Sequence, residues 1–564
     1  MHLTPPYSDE TQYRANRSGW LFAILLPIAL LVPFISKPVH IDDAAYVAIA
    51  KHIAKDPADY YGLSLNWDGV ARPVYEWHAS PPFVKFYLAF IGTLFGWKEW
   101  VLHTAFLLPA ILASAATFLL AKRLCKRPFV ALAATLCTPA FIISGTSLML
   151  DTWLLAYFML AMALWVEGFA RGSIRYLFCA AICAGLALWT KYFGIALIPL
   201  LTVYALLKSD RPKYWWVLLL VPTAMLIAEQ AYSYFTYRHF LFTNVAHVVM
   251  DERISDRTVY TWLLIGLSFA GGCTFSVMQL GGVLWNGRLR LLGTLLWLAM
   301  SFLLVWLTSR DNVTLTAGFK LPTVSIFVYA VLLLGGSQLF SLTYSELRHR
   351  ADPESWLLAL WIAGTFFFAC YVTWSVNVRS LLPLVPAVAM LAARRLDFIE
   401  VVNPKKTNRR IVTILSVSAI VSLLIARADM EWAQSQREAA YRYGDFAKSH
   451  HGTVYFQGHW GFQHYMHEAG VAQFDAKTTV LQPGDVVICP RNNANVRPIP
   501  RDYTAARAHD QFSIAHRMAT MSIDLGAGFY SDLWGPLPFA LGLKMPPDDY
   551  YTYFISKLGK PFQE

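Results

Sequence analysis

The chain has 564 residues, of which 56% are hydrophobic and only 15% charged, and its mean hydropathy is +0.42. Soluble domains carry roughly 25% charged residues, so a single water-soluble core is excluded and a polytopic membrane protein is indicated. The formal charge of +11 would suit a nucleic-acid partner, yet the basic residues cluster in short loops between apolar runs. That pattern is a membrane-topology signal and argues against nucleic acid.

In chain order, the first apolar run, Gly19 to Ser36, follows Arg14 and Arg17 and lacks a small-residue cleavage site. It reads as an uncleaved anchor that leaves the cytoplasm. An outer loop over 37–100 follows. It opens His40-Ile41-Asp42-Asp43-Ala44-Ala45-Tyr46 and contains Tyr75-Glu76-Trp77-His78-Ala79-Ser80-Pro81-Pro82-Phe83-Val84-Lys85. The apolar stretch Phe83 to Gly96 is too short to cross a core of about 30 Å at about 1.5 Å per residue. It is predicted to lie on the outer surface. Counting it as a span would place Lys122, Arg123, Lys126 and Arg127 outside, against the positive-inside rule.

Further spans are then predicted at 101–121, 128–148, 152–168, 176–190, 193–207, 213–231, 259–282, 291–308, 321–342, 356–376, 380–393 and 411–426. With the first run they make about 13 transmembrane helices, the N-terminus cytoplasmic and the C-terminus outside, as expected of a protein of the cytoplasmic (inner) membrane. Inside loops hold Arg171 with Arg175, Arg288 with Arg290, Arg348 with Arg350, and Arg394 through Arg410. Outside loops are mixed or acidic. The spans form one expected domain, 1–426, and the polar stretch 427–564 a second. Within the latter, 431–449 reads as a helix, 453–457 as a strand, 460–469 as a helix and 485–489 as a strand, which suggests a small C-terminal α/β domain on the outer face. The seven cysteines form no C-x-x-C pair and imply neither a disulfide framework nor a zinc site.

Several ionisable residues converge on the outer face. Asp42 and Asp43 follow the first span, and Asp151 opens the fourth. Lys191 lies in the turn Leu188-Trp189-Thr190-Lys191-Tyr192-Phe193-Gly194. His247, Asp251, Glu252 and Arg253 follow the seventh span, and Arg379 precedes Ser380-Leu381-Leu382-Pro383. Ionisable groups at a membrane boundary are costly and so are candidates for function. Sugar transfer from a lipid phosphate needs a carboxylate to take the acceptor's proton and cations to stabilise the departing phosphate. Asp42 or Asp43 suits the first role, and Lys191 and Arg379 the second. Glu76, His78, Asp151 and His247 are of types that hold a divalent metal.

These residues resemble the GT-C superfamily of lipid-phosphate-sugar glycosyltransferases, particularly the lipid A aminoarabinose transferases and protein O-mannosyltransferases. Asp42-Asp43-Ala44-Ala45-Tyr46 matches that family's acidic D-[DE]-x-x-Y motif, and Ser80-Pro81-Pro82-Phe83-Val84-Lys85 its H/K-P-P segment. Asp151 stands where an acid opens the fourth span, Thr190-Lys191-Tyr192 matches a T-K-[GY] turn, and Arg379 to Pro386 resembles an R-Y-x-L-P-x-x-P motif. The resemblance implies a polyprenyl-phosphate sugar donor, a lipid, protein or polysaccharide acceptor reaching the outer face, and inversion at the anomeric carbon. It places Asp42 at the catalytic acid position with Asp43 beside it, Asp151 as a further acid, and Lys191, Arg379 and Lys85 near the donor phosphate. Some relatives hold a metal near the second-motif acid and the fourth-span acid, here Glu76 or His78 and Asp151. The chain departs from the motif at Ser80, where His or Lys is usual. A transporter or flippase of a lipid-linked or polar solute is the alternative, but the charges sit at span ends and no half-to-half symmetry is visible. A membrane-anchored interaction protein would leave the charged set without a role.

Overall fold

The computed structural model describes residues 9–251, 257–285, 287–308, 318–399 and 403–557. In a bilayer, backbone polar groups must be satisfied within each segment, so long apolar runs become helices. Every predicted span falls on helical structure, though not always as one rod. Among the described residues, seven helices are long and apolar enough to cross: Glu99–Leu124, Asp151–Arg171, Trp215–Tyr237, Gly287–Leu307, Thr323–His349, Pro353–Val372 and Pro404–Ser449. An eighth is the pair Pro128–Leu136 and Pro139–Gly145, bent by 61°. Pro139 cannot donate to the preceding turn, and the Thr138 hydroxyl starts the second piece by accepting the Phe141 N–H at 3.2 Å. Other predicted spans, such as Ile174–Thr190 and Val259–Cys273, are shorter apolar helices. Length and composition therefore qualify seven or eight of the expected 13.

Close helix contact comes from small residues. A Cβ on Gly271 would lie 2.0 Å from the Leu332 carbonyl oxygen, and one on Gly336 would lie 2.0 Å from that of Leu267. The helices Val259–Cys273 and Thr323–His349 thus meet backbone to backbone, a contact only glycine permits.

The two ends of the bundle differ. At one end, buried Glu167 accepts from Arg123 at 2.5 and 2.7 Å and from Arg171. Arg394 is held by Glu346 at 2.6 Å and by Asp352 at 3.2 Å, and Lys208 by Glu354 at 2.5 Å. The loops read as basic thus also carry acids that neutralise them. The opposite end carries the loop over 37–100 and the C-terminal region.

The surface helix Phe83–Phe95 buries Val84, Lys85, Leu88 and Ile91 while Phe86, Phe90 and Leu94 remain exposed. Their spacing of four places an apolar stripe on one helix face, suited to lipid. The predicted last span and the helix over 431–449 are one 46-residue helix, Pro404–Ser449. At about 1.5 Å per residue it is roughly 70 Å long, about twice a bilayer core. Its far half packs Ala439, Ala440 and Tyr443 against Phe462, Tyr465, Ile488 and Tyr550.

These residues belong to a five-stranded sheet domain. From edge to edge it runs Ala472–Gln473, Val454–Phe456, Val486–Pro490, Asp548–Ile555 and Thr504–Phe512. The Val454–Phe456 and Val486–Pro490 strands are parallel, with Trp460–Glu468 between them in sequence, as the strand–helix–strand pattern predicts. The last two strands pair antiparallel and were not anticipated. The domain rests on the loop over 37–100. The Val39 N–H donates to the Tyr465 hydroxyl at 2.8 Å, Gln463 to the Asn66 carbonyl at 2.8 Å, and Arg437 to Glu99 at 3.0 Å.

Candidate functional site

The loop over 37–100 turns sharply into the helix Asp43–Ile53 at Ile41, whose φ is +47°. Left-handed backbone is unfavourable for a β-branched residue, and such strain persists only where packing enforces it. Ile41 is 2% exposed. The turn places Asp42 at the helix N-cap, yet its carboxylate makes no cap bond. Instead its Oδ2 accepts from Arg379 Nη1 at 2.7 Å.

Asp43 faces the other way. Its Oδ1 accepts the Leu148 N–H at 2.8 Å, and no part of the residue reaches solvent. Burial pushes its pKa up to about 7, opposed by the nearby Lys37 ammonium. Of the two predicted acids, Asp42 is the partly exposed one.

Arg379 lies on the short helix Val378–Leu381, whose start is fixed by Asn377 Oδ1 accepting the Ser380 N–H at 2.8 Å. Besides Asp42, Nη1 contacts Met149 Sδ at 3.0 Å, while the buried Nε has no hydrogen-bond partner among the described residues. The guanidinium lies 5.7 Å from the centre of the Tyr530 ring. Burial opposes its charge, and the carboxylates of Asp42 and Asp151 together hold it in place.

Asp151 opens the helix Asp151–Arg171, and its Oδ1 pairs with Lys191 Nζ at 3.0 Å. Lys191 ends the helix Ile174–Thr190 in extended backbone, which lets its side chain cross to the neighbouring helix. Asp42, Arg379, Asp151 and Lys191, separated by up to 337 positions, are therefore gathered at one end of the bundle as two adjacent ion pairs.

Tyr46, one helical turn beyond Asp42, joins this group to a second one. Its ring stands 4.7 Å from Lys85 Nζ and 5.8 Å from the His78 ring. Lys85 is fully buried. Its ammonium nitrogen donates to Ser80 Oγ at 2.6 Å and to the Pro81 carbonyl at 3.0 Å, closing the Pro-Pro turn. His78 Nε2 lies 2.7 Å from the same Ser80 Oγ, and burial, aided by Lys85, holds this imidazole well below its ordinary pKa. Lys85, expected at a phosphate, is thus placed within the protein as a turn-closing group.

The proposed metal ligands do not assemble. Glu76 and His247 are exposed, His78 is buried against Ser80, and Asp151 faces Lys191. Among the described residues, no three His, Cys, Asp or Glu side chains share a point. Lys191 and Arg379 beside Asp151 would also repel a dication. The donor set does not fit a divalent ion. Glu252, Arg253, Asp256 and the side chain of Asp251 lie outside the described residues.

Three contributors went unread in the sequence: Met149, Tyr530 and Asp532. Asp532 Oδ1 accepts the Val376 N–H at 2.9 Å, three residues before Arg379. Tyr46 was visible as the last position of the acidic motif, but its role between the two groups was not.

A family model described as dolichyl-phosphate-mannose-protein mannosyltransferase matches residues 79–233. No curated protein matches the chain. Among solved structures, ArnT from Cupriavidus metallidurans bound to undecaprenyl phosphate is similar at 15% identity, over 86% of this chain and 94% of that one, with a TM-score of 0.41. Its apo state is similar at 17% identity, over 84% and 94%, with a TM-score of 0.42. The Archaeoglobus fulgidus oligosaccharyltransferase in complex with Zn and sulfate is similar at 13% identity, over 84% and 68%, with a TM-score of 0.43. The resemblance to GT-C glycosyltransferases read from the motifs is shared by the matching family model, over a segment that contains Lys85, Asp151 and Lys191.

Proposed function

We propose that the chain is a membrane glycosyltransferase that moves a sugar from a polyprenyl-phosphate donor to an acceptor hydroxyl or amine at the outer face of the membrane, with inversion. The observation that carries this reading is the Asp42–Arg379 pair beside the Asp151–Lys191 pair, in which two carboxylates and two cations meet at one end of the bundle. Asp42, 27% exposed, accepts the acceptor's proton as its oxygen or nitrogen attacks the anomeric carbon. The bond from that carbon to the phosphate oxygen breaks on the opposite side, and the electron pair leaves with the polyprenyl phosphate. One displacement inverts the centre.

Arg379 offers a planar fork suited to a phosphate, and its Nε donor is unspent. Lys191, 28% exposed, adds a point charge on the departing group. Asp151 holds Lys191 in place. Asp43 fixes the loop through Leu148, and Lys85 with His78 and Ser80 fixes the Pro-Pro turn. No step runs through a metal. With Glu167, Glu346 and the basic loops at the other end taken as cytoplasmic, the site faces outward. The regions 1–426 and 427–564 then act as catalytic bundle and outer domain.

The test is a panel of radiolabelled polyprenyl-phosphate sugars given to purified protein with a membrane extract as acceptor source. Release of polyprenyl phosphate with one donor supports the reading. Failure to bind any donor or undecaprenyl phosphate contradicts it and favours transport of a polar solute.

A further inference from the structure

The C-terminal region does more than cover the outer loop, because one of its turns grips the backbone that leads directly into Arg379. The Val376 N–H donates to Asp532 Oδ1 at 2.9 Å, the Asp532 N–H to the Val376 carbonyl at 3.0 Å, and the Val378 N–H to the Phe529 carbonyl at 3.0 Å. The other carboxylate oxygen of Asp532 is taken by Arg257, so the clamp is tied to a further helix start. Between the two clamping residues stands Tyr530. Its ring lies 5.7 Å from the Arg379 guanidinium, within cation–π range. Its hydroxyl donates to Asp429 Oδ2 at 2.8 Å. Asp429 is fully buried and also accepts from Lys37 Nζ at 2.6 Å and from the Thr520 hydroxyl at 2.6 Å. The ring is thus pinned from the long helix Pro404–Ser449 and from the start of the outer loop.

We infer that Tyr530 and Asp532 are positioning residues for Arg379: the turn over 529–532 sets the backbone of 376–378 and the ring face on which the guanidinium lies, and so aims it at Asp42 and the donor phosphate. The outer domain is then part of the reaction centre. This rests on the proposed role of Arg379, so the test needs one readout that depends on that role and one that does not.

Full-length protein is purified as wild type, Tyr530→Phe and Tyr530→Leu. Each is measured for undecaprenyl phosphate affinity, for melting temperature, and for the rate at which phenylglyoxal labels Arg379, read by peptide mass spectrometry. Tyr530→Phe keeps the ring and loses the bond to Asp429, so its melting temperature falls while affinity and labelling rate stay within about twofold of wild type. Tyr530→Leu loses the ring, so affinity drops by about tenfold and labelling accelerates. Asp532→Asn, which keeps the acceptor for Val376, stays closer to wild type in labelling rate than Asp532→Ala. Equal labelling rates in all variants, or affinity losses that track melting temperature in both Tyr530 variants, overturn the inference. If wild type binds no undecaprenyl phosphate but labelling follows the expected order, the positioning stands and the donor-phosphate role of Arg379 falls.

Discussion

Replacing Arg379 with Ala removes a cation that Asp42 meets at 2.7 Å and that also acts on Asp151. Arg379 and Asp42 are 16% and 27% exposed, so solvent screens the pair only in part. A hydrogen bond to a charged group in such a setting contributes about 1.5–3 kcal/mol. At about 1.4 kcal/mol per decade, loss of one such bond to the donor phosphate weakens undecaprenyl phosphate binding by about 10- to 150-fold. Arg379→Lys keeps the charge but not the fork and should fall between Ala and wild type. Asp42→Asn moves the other way: it frees Arg379 from its ion partner, so affinity should be equal to wild type or tighter. The assay is equilibrium binding in detergent at fixed ionic strength, with melting temperature as a control for folding. A folded Arg379→Ala variant that binds within twofold of wild type would refute the phosphate role.

Asp43 predicts a pH effect. Its folded pKa, about 7, lies above the ordinary value of 3.8, so between those pH values the folded state holds a proton that the unfolded chain has released. This group therefore makes stability fall as pH rises from about 4 to about 7 and level off above. Denaturation of wild type and Asp43→Asn should show the variant gaining relative stability across that window; a constant difference would contradict it. Asp429→Asn leaves the fully buried Lys37 without its charge partner, at a cost of about 3–5 kcal/mol. The pair Lys37→Met with Asp429→Leu should recover part of this in thermal unfolding, and no recovery would refute the assigned cause. Gly336→Ala forces a methyl group against the Leu267 carbonyl and should destabilise by about 1–3 kcal/mol, read in the same unfolding assay; an unchanged midpoint would mean the helices separate freely.

Much of this arrangement is visible in the sequence because a bilayer imposes a simple code. Apolar runs mark the helices, Lys and Arg mark one end, and Asp42, Asp151, Lys191 and Arg379 stand out at the other. What pairs with what is not encoded locally: Asp42 and Arg379 are 337 positions apart, Asp43 and Leu148 105, and Asp151 and Lys191 40. The acidic pair reads alike in sequence, yet one φ of +47° at Ile41 sends Asp42 to Arg379 and Asp43 into the protein. The change of polarity at Arg427 reads as a helix end, but Arg427 and Glu431 form an i,i+4 pair at 2.9 Å that continues the helix. The run Tyr550-Tyr551-Thr552-Tyr553-Phe554, aromatic and β-branched throughout, is a local strand signal and lies in the strand Asp548–Ile555. Lys37, Asp429 and Asp532 carry no local pattern, since each owes its role to a buried partner from a distant segment.

In the proposed reaction Asp42 takes the acceptor's proton while Arg379 holds the donor. The decisive measurement compares undecaprenyl phosphate affinity and polyprenyl phosphate release side by side for wild type and Asp42→Asn. Wild type should release polyprenyl phosphate, and Asp42→Asn should bind at least as tightly but release none. Release by the variant at a near-normal rate would contradict it.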